Sequence, residues 1–459
     1  MTPPRPAPWP VAQGLQSARE ALRSLPSHDG RSRLLSVTVR LPWTDPLALF
    51  RAAVGEERAF WEQPGDGFSL AAVGVAAVLD GHGEGRFAQV AAAWEGLRQE
   101  ALVEGDTTAP LTPPVCLGGF AFASGGMRAL HWRPYGDGRL VVPRLLLVAQ
   151  KGESWLTLTV PSAGGGGLPL FSRPESLPDD GGERLDITIE GLSGEDWQRA
   201  VAVIVQETRR GVVDKVVLAR EVRARASRPF PWATVLERLR RAYRGCTVFA
   251  FARGDSCFLG ATPERLARLE GRRLRADCLA GSVPRGETLR EDERMAARLL
   301  ADPKERREHV LVVEAVRQAL LPLCQELWAP PAPQVLRTPH VQHLHTPIGG
   351  RLREGTGLLE VVARLHPTPA VGGAPQKAAL ALIDACETFD RGWYAGPVGW
   401  LDGSGDGEFV VAIRSALLRG REAHLYAGCG ILPDSDPRRE EQESLLKLKA
   451  MLTALGGEG

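Results

Sequence analysis

Of the 56 basic residues in this chain only six are lysine. Arginine cannot give up its proton in a protein, whereas a desolvated lysine can act as a base. Lys215 stands in Asp-Lys-Val-Val-Leu-Ala-Arg (214–220), an apolar, β-branched run with the pattern of a strand. An amine in such a run favours its neutral form; the competing reading is a strand-edge lysine reaching solvent along its own stem. Glu264 follows a second apolar run, in Phe258-Leu-Gly-Ala-Thr-Pro-Glu-Arg-Leu266. Beside Phe258 and Leu259 its carboxyl is expected to keep its proton to higher pH and serve as an acid, unless it is a surface group paired with Arg265.

Carboxylates recur at helical spacing in the C-terminal half. Glu305 and Glu308 are three apart, just ahead of the apolar helical run Val310–Leu321. Glu440, Glu443 and Lys447 fall at i, i+3 and i+7 behind Asp436 and Pro437, and that proline suits a first helical turn. Two helices, each offering a carboxylate pair, could hold Mg²⁺, which takes oxygen ligands and completes its shell with water and an anionic substrate group. Two solvated helix N-termini, where the dipole favours acids, give the same pattern. The segment Ala427-Gly428-Cys429-Gly430-Ile431 reads as a tight turn after a strand at Ala423–Tyr426, with Gly428 and Gly430 offering backbone N–H groups to an anion. Arg414, in Val410-Val-Ala-Ile-Arg414, reads as a cation inside an apolar strand. It needs a carboxylate partner there, either structural or from a substrate that suits its planar fork. His340, His343 and His345 cluster without the spacing of a helix-borne zinc pair, so a structural metal is not expected from them.

The elements that must carry these residues are partly legible. Ser193-Gly-Glu-Asp196 resembles a capping box for an amphipathic helix that runs to about Arg210 and stops at Gly211. Upstream, Arg33–Leu41, Gly118–Phe122 and Leu140–Val148 read as strands and Phe87–Gly105 as a helix. Pro161–Gly182, which contains four successive glycines, reads as a surface loop or linker. Residues 1–15 are proline-rich and read as a disordered start, 16–190 as one half of the fold and 191–459 as the region that carries the chemistry. Strands and helices alternate irregularly, which predicts a mixed α/β protein of large sheets with helices on their outer faces.

Bulk properties exclude several classes. Hydrophobic content of 44% and charged content of 24% are those of a globular protein with a sizeable core. The 56 basic residues face 55 acidic ones, which argues against a nucleic-acid surface or a polybasic membrane surface. No apolar run approaches a membrane span. Seven scattered cysteines without a Cys-x-x-Cys argue against a disulfide framework or zinc site and point to the cytoplasm.

Taken in chain order, ten segments resemble the chorismate-utilising enzymes, and the isochorismate synthases among them most closely. They are Lys-Val-Val-Leu-Ala-Arg (215–220), Phe-Leu-Gly-Ala-Thr-Pro-Glu-Arg-Leu (258–266), Leu-Ala-Gly-Ser-Val-Pro-Arg-Gly (279–286), Lys-Glu-Arg-Arg-Glu-His (304–309) and Val-Gln-His-Leu (341–344). They continue with His-Pro-Thr-Pro-Ala-Val-Gly-Gly (366–373), Tyr-Ala-Gly-Pro-Val-Gly-Trp (394–400), Gly-Asp-Gly-Glu-Phe-Val-Val-Ala-Ile-Arg (405–414), Ala-Gly-Cys-Gly-Ile (427–431) and Ser-Asp-Pro-x-x-Glu-x-x-Glu (435–443). A fainter match, Phe-Trp-Glu-Gln-Pro (60–64) and Gly-Gly-Phe-Ala-Phe (118–122), reaches into the N-terminal half.

The resemblance implies an α+β unit of two large facing antiparallel sheets with helices outside and a site in the cleft between. It implies a Mg²⁺-dependent isomerase that interconverts chorismate and isochorismate, acting in menaquinone or siderophore synthesis as a monomer. Lys215 matches the base that activates water, and Glu264 becomes the acid. Mg²⁺ is assigned to Glu308 and Glu443, with Glu305 and Glu440 nearby. Substrate contacts fall to His343, Ala370, Tyr394, Arg414, Gly428, Gly430 and Lys447. Three positions speak to the reaction. Anthranilate synthases usually lack the lysine at 215. Ala280 stands where aminodeoxychorismate synthases carry a second lysine, and Ala370 where salicylate and anthranilate synthases typically carry threonine. A salicylate synthase, which goes on to eliminate pyruvate, and a non-catalytic chorismate-binding module are the competing expectations. His345, where the family often shows tryptophan, is a departure.

Overall fold

The computed structural model describes residues 9–24, 33–125, 128–162, 186–190 and 194–457. Alternation along the strands sorts their side chains between two cores. In the strand Thr247–Arg253, Phe249 and Phe251 join one buried cluster, while Val248, Ala250 and Ala252 join another. The neighbouring strand Ser256–Thr262 sends Phe258 to the first and Cys257, Leu259 and Ala261 to the second. Strands covered on both faces have no solvent side to keep polar, so they read as unbroken apolar runs.

These strands belong to a sheet of 13 strands; a second sheet has 10. Their ladders are antiparallel except where Leu34–Leu41 runs parallel to Leu102–Gly105. The first core lies between the sheets, since Phe120 and Phe409 of the smaller share it with Phe249 and Phe258 of the larger. The second core lies on the outer face of the larger sheet, under the helices Pro10–Leu22, Pro46–Ala52, Trp232–Ala242 and Pro437–Leu455. Strands from early and late in the chain share ladders: Arg58–Gln63 pairs directly with Thr247–Arg253.

Two helices that flank the cleft are built alike. Pro303–Leu320 starts behind Asp302, whose side chain accepts from the N–H groups of Lys304 and Glu305. Pro437–Leu455 starts behind Asp436, which accepts from the N–H of Arg439. In each, proline fills the first turn, where its missing N–H is not needed.

Several sequence expectations need correction. The disordered start does not extend to residue 15, because Pro10–Leu22 is a helix. Val11, Leu15 and Ala18 bury one face of it, a spacing hidden behind the prolines. Leu140–Val148 is two strands in different sheets, Gly138–Val142 and Leu145–Gln150, parted at Pro143, which has no N–H to continue a ladder. The helix expected over Phe87–Gly105 spans Arg86–Glu100, and the following residues form the parallel strand. Ser193 of the capping box and most of the 161–182 linker lie outside the described residues; the helix Gly194–Arg209 and the left-handed Gly211 (φ 72°) are seen. The seven cysteines are free. Among the described residues no helix is long and apolar enough to cross a membrane.

Candidate active site

Two of the places where the chain crosses between the sheets lie side by side at the cleft. The chain leaves the larger sheet at Thr262 and enters the smaller at Arg265; it leaves the smaller at Val411 and returns to the larger at Ser415. Glu264 sits on the first crossing and Arg414 on the second. The two are tied together by backbone: Val411 N–H donates to Glu264 O at 3.0 Å, and Ala261 N–H to Arg414 O at 3.1 Å. Both residues line a cleft of about 920 Å³, open mouth included.

Glu264 is 4% exposed. Burial pushes its carboxyl up to about 8, against a partial pull from Lys215. The alternative of a surface acid paired with Arg265 does not hold, because Arg265 reaches Glu408 at 2.7 Å and Asp277 at 3.4 Å. Lys215 is 1% exposed, so the solvent-reaching alternative also fails. It opens the strand Lys215–Ala226, and its Nζ lies 2.7 Å from Glu308 Oε1.

The expected carboxylates come together. Glu305 and Glu308 from one capped helix line the same cleft as Glu440 and Glu443 from the other. Three of the four hold a lysine: Lys215 at Glu308, Lys304 at Glu440 (3.5 Å), and Lys447 at Glu443 (2.7 Å). Half of the chain's lysines therefore serve this one cluster. Glu305 is pushed up to about 7 by burial and by the charge of Glu308. Burial and Glu443 raise Glu440; burial also opposes the charge on Glu443, but Lys447 holds it below the usual carboxylate range. Four carboxyl groups gathered at one cleft make a set of hard oxygen donors, which fits Mg²⁺. Cys429 Sγ lies within 4.8 Å of ligand atoms of Glu440 and Glu443, but burial raises its thiol far above the usual range and removes it as a thiolate donor.

Arg414 is not inside a strand, as its apolar neighbours suggested; it holds the left-handed conformation, φ 53°. Ala395, next to Tyr394, does the same at φ 60° and is pinned by its N–H to Ala412 O at 3.0 Å. Two non-glycine residues held in this sparsely populated region at one cleft are strain concentrated at a site. Burial lowers the pKa of Arg414, and Tyr394, Glu443 and Tyr243 act on it through space. Tyr394 is raised to about 12 by burial, so it stays a neutral donor.

The glycine turn at 427–431 is instead the end of the strand Glu422–Ile431. Its ladder with the Lys215 strand opposes Val217 to Gly430 and Ala219 to Gly428. The N–H groups of Val217 and Ala219 go elsewhere, to Gly372 O and Glu387 Oε1. These are therefore non-hydrogen-bonded pairs, in which Gly428 and Gly430 turn their own backbone groups away from the Lys215 strand. Lys447 Nζ takes up Gly428 O at 2.8 Å. Space is the second reason for glycine: a Cβ on Gly430 would stand 2.7 Å from both Glu308 Oε1 and Lys215 Cε.

His343 lines the cleft, receives or gives a hydrogen bond at Nδ1 with Ser282 Oγ (2.9 Å), and has a buried Nε2 without a protein partner. Burial drives its pKa well below the ordinary value, so it is neutral. His345 points to Asp277 instead, at 2.8 Å. Ala370 and Ala280 both line the cleft. Residues that sequence reasoning missed are Arg391, buried and bound to Glu387 and Val217 O; Ser282; and Lys304. The scarcity of lysine that singled out Lys215 also marks Lys304; nothing comparable marks Ser282.

Comparisons with known proteins converge on one family. A family model described as "Chorismate binding enzyme" matches residues 18–456. A salicylate biosynthesis isochorismate synthase of Pseudomonas aeruginosa is 41% identical over 445 residues, 93% of this chain and 92% of that protein. The isochorismate synthase MenF of Bacillus subtilis is 36% identical, covering 93% of this chain and 94% of that protein. Among solved structures, the menaquinone-specific isochorismate synthase MenF of Escherichia coli superposes with a TM-score of 0.80 at 26% identity, covering 97% of this chain and 100% of that one. Anthranilate synthase component I of Streptococcus pneumoniae shares the fold at 20% identity and a TM-score of 0.69, over 84% of this chain and 92% of that one.

Proposed function

We propose, from the premise that this chain belongs to the chorismate-binding enzyme family, that it is an isochorismate synthase. It is an isomerase: water adds at C2 of chorismate, the ring double bonds shift, and the C4 hydroxyl departs as water. What carries this reading is a buried carboxyl on the cleft wall, Glu264, pushed up to about 8 by burial, with a buried lysine standing behind the cleft at Glu308.

Glu264, protonated at neutral pH, donates to the departing C4 oxygen. Lys215 in its neutral form accepts the proton of the incoming water. Each such role contributes on the order of 10²–10⁴-fold. Arg414 and Tyr394, with the amides of Gly428 and Gly430, grip the enolpyruvyl carboxylate, and neutral His343 lies along the ring with Ala370 at its side. Glu308 and Glu443, supported by Glu305 and Glu440, would hold Mg²⁺, which would supply positive charge to the ring carboxylate when bound. Lys447 balances the cluster at Glu443.

Product analysis tests the reading. The full chain with chorismate and Mg²⁺ is expected to yield a chorismate–isochorismate mixture reached from either side. Accumulation of salicylate with pyruvate would reassign it as a salicylate synthase, and ligand binding without turnover as a binding module. Lys215→Ala is expected to stop water addition while Mg²⁺-dependent chorismate binding remains measurable.

A further inference from the structure

The strand that opens with Lys215 runs near one edge of the larger sheet, and its outer side is covered by strands only at its two ends. Gly373–Ala374 pairs with Val216 and Lys215, and Ile187–Glu190 pairs with the stretch from Arg223 to Ala226. Among the described residues no strand pairs with that side between Val217 and Val222. Val217 and Ala219 turn their backbone groups outward there, because they stand in non-hydrogen-bonded pairs with Gly430 and Gly428 on the inner side. Both residues are buried, so these groups need partners. Val217 N–H reaches Gly372 O at 2.9 Å. The next two groups along the edge are met by side chains. Arg391 Nη2 donates to Val217 O at 2.7 Å, and Glu387 Oε1 accepts from Ala219 N–H at 2.7 Å. The guanidinium stands in for a strand's N–H and the carboxylate for its C=O.

The pair is fixed from several directions. Both side chains are 4% exposed, and Arg391 Nε donates to Glu387 Oε2 at 2.8 Å while Nη2 also meets Oε1, a two-pronged ion pair. Glu387 stands at the end of the helix Gln376–Cys386, and the guanidinium lies over the Phe122 ring at 4.1 Å. Arg391 Nη1 donates to Val371 O at 3.0 Å, next to Ala370. One guanidinium therefore joins the Lys215 strand, the segment of Ala370 and a helix end. These bonds use all but one of its N–H groups, so Arg391 has no two-pronged face left for a substrate carboxylate although it lines the cleft. Tyr394 is held separately: its N–H donates to the backbone O of Arg391 at 2.9 Å, a bond that does not involve the Arg391 side chain.

We propose that Arg391 and Glu387 are positioning residues, a clamp that holds Lys215 and the Ala370 wall in place for the reaction without touching the reacting atoms. The proposal rests on the isochorismate synthase reading. Lys215 is two positions from the clamped Val217, and a shift of about 1 Å in a reacting group can cost about 10²-fold in rate. The grip on the enolpyruvyl carboxylate, assigned to Arg414 and Tyr394, does not pass through this side chain, so the clamp bears on turnover and not on binding.

The test uses the full chain with Mg²⁺ and chorismate. Arg391→Lys keeps a cation and loses the planar fork; Glu387→Asp keeps the ion pair but is one methylene too short to serve Arg391 and Ala219 N–H together. Each is expected to lower kcat about 10²-fold with KM for chorismate nearly unchanged. Hydrogen exchange at the Ala219 amide is expected to quicken about tenfold in Glu387→Asp, while the helix Pro437–Leu455 keeps its protection and shows that the fold is intact. Wild-type kcat and KM in folded variants whose denaturant midpoint alone has dropped would overturn the proposal, because the pair would then serve stability only. A raised KM with kcat retained would overturn it too, by marking a direct substrate contact. Ala219 exchange at the wild-type rate in Glu387→Asp would remove the clamp itself. A wild-type chain that forms no isochorismate would instead defeat the functional reading, and with it the catalytic part of this proposal, while a quickened Ala219 exchange would still establish the clamp.

Discussion

Replacing Glu264 with glutamine should make the protein more stable and far less active, and both effects follow from one burial. The side chain is 4% exposed, and its carboxyl is shifted from 4.5 to about 8. At 1.36 kcal/mol per unit, the folded chain disfavours the carboxylate by on the order of 5 kcal/mol. The folded value is raised above the unfolded one, so the group's full contribution to stability is present below about 4.5. It is lost as pH rises towards about 8, because the unfolded chain ionises while the folded chain holds its proton. Glutamine is a neutral isostere and escapes this loss. In urea titrations without Mg²⁺, Glu264→Gln should match wild type near pH 4.5 and exceed it by on the order of 5 kcal/mol above pH 8. An amide cannot supply the departing hydroxyl with a proton, so turnover should fall about 10²–10⁴-fold. Wild-type kcat/KM should decline about tenfold per unit above pH 8, and the variant's residual activity should lack that limb. A stability difference that is the same at pH 5 and pH 8.5, or a wild-type pH profile flat beyond 9, would refute the reasoning.

The Lys215–Glu308 pair is asymmetric, 1% exposed on the lysine and 13% on the glutamate. Without Mg²⁺, Glu308→Ala should cost about 3–5 kcal/mol by stranding a buried ammonium, and Lys215→Ala less, since it leaves a carboxylate at the cleft; denaturant midpoints in the opposite order would contradict this. Gly430→Ala forces a methyl against that pair, and about 10²-fold should be lost from kcat with the circular dichroism spectrum retained. Arg414→Lys keeps the charge and loses the two-pronged grip, so KM for chorismate should rise about tenfold, near 1.4 kcal/mol, while an unchanged KM would remove Arg414 from substrate binding.

Lys215 and Glu264 were legible because each is an ionisable residue set in an apolar run, and burial is what such a run enforces. The carboxylate pairs were legible from helical spacing, although spacing alone does not distinguish a metal cluster from two solvated helix ends. Tertiary placement adds what spacing cannot: two Asp-Pro starts bring all four carboxylates to one cleft. The glycine segment misled because glycine marks turns more often than ladders. Here it is needed for room beneath Glu308, a contact from another part of the chain that no local pattern records. Arg414 misled for the converse reason. Its apolar neighbours belong to strands of two different sheets, and the run hides the crossing between them.

The scaffold alone does not choose the reaction, since the same fold occurs in a protein named anthranilate synthase at only 20% identity. What remains to choose it is the lining. The three positions singled out for their bearing on the reaction converge: Lys215 lies beneath the cleft at Glu308, while Ala280 and Ala370 form part of its wall. A lysine at 280 would enter a cleft that already holds Arg414, Lys304 and Lys447, adding a cation to one wall of it. A threonine at 370 would add a hydroxyl where the present side chain can neither donate nor accept. Lys215 lies behind the cleft, held by Glu308 at 2.7 Å. The proposed roles therefore divide the lining into groups that would bind a dianion and a few side chains that would direct water and protons around it. Changing the reaction requires altering only the latter, which is why Ala370→Thr should leave KM for chorismate nearly unchanged. Any new product should be detectable as salicylate fluorescence. A collapse of chorismate binding in that variant would show that residue 370 belongs to the grip instead.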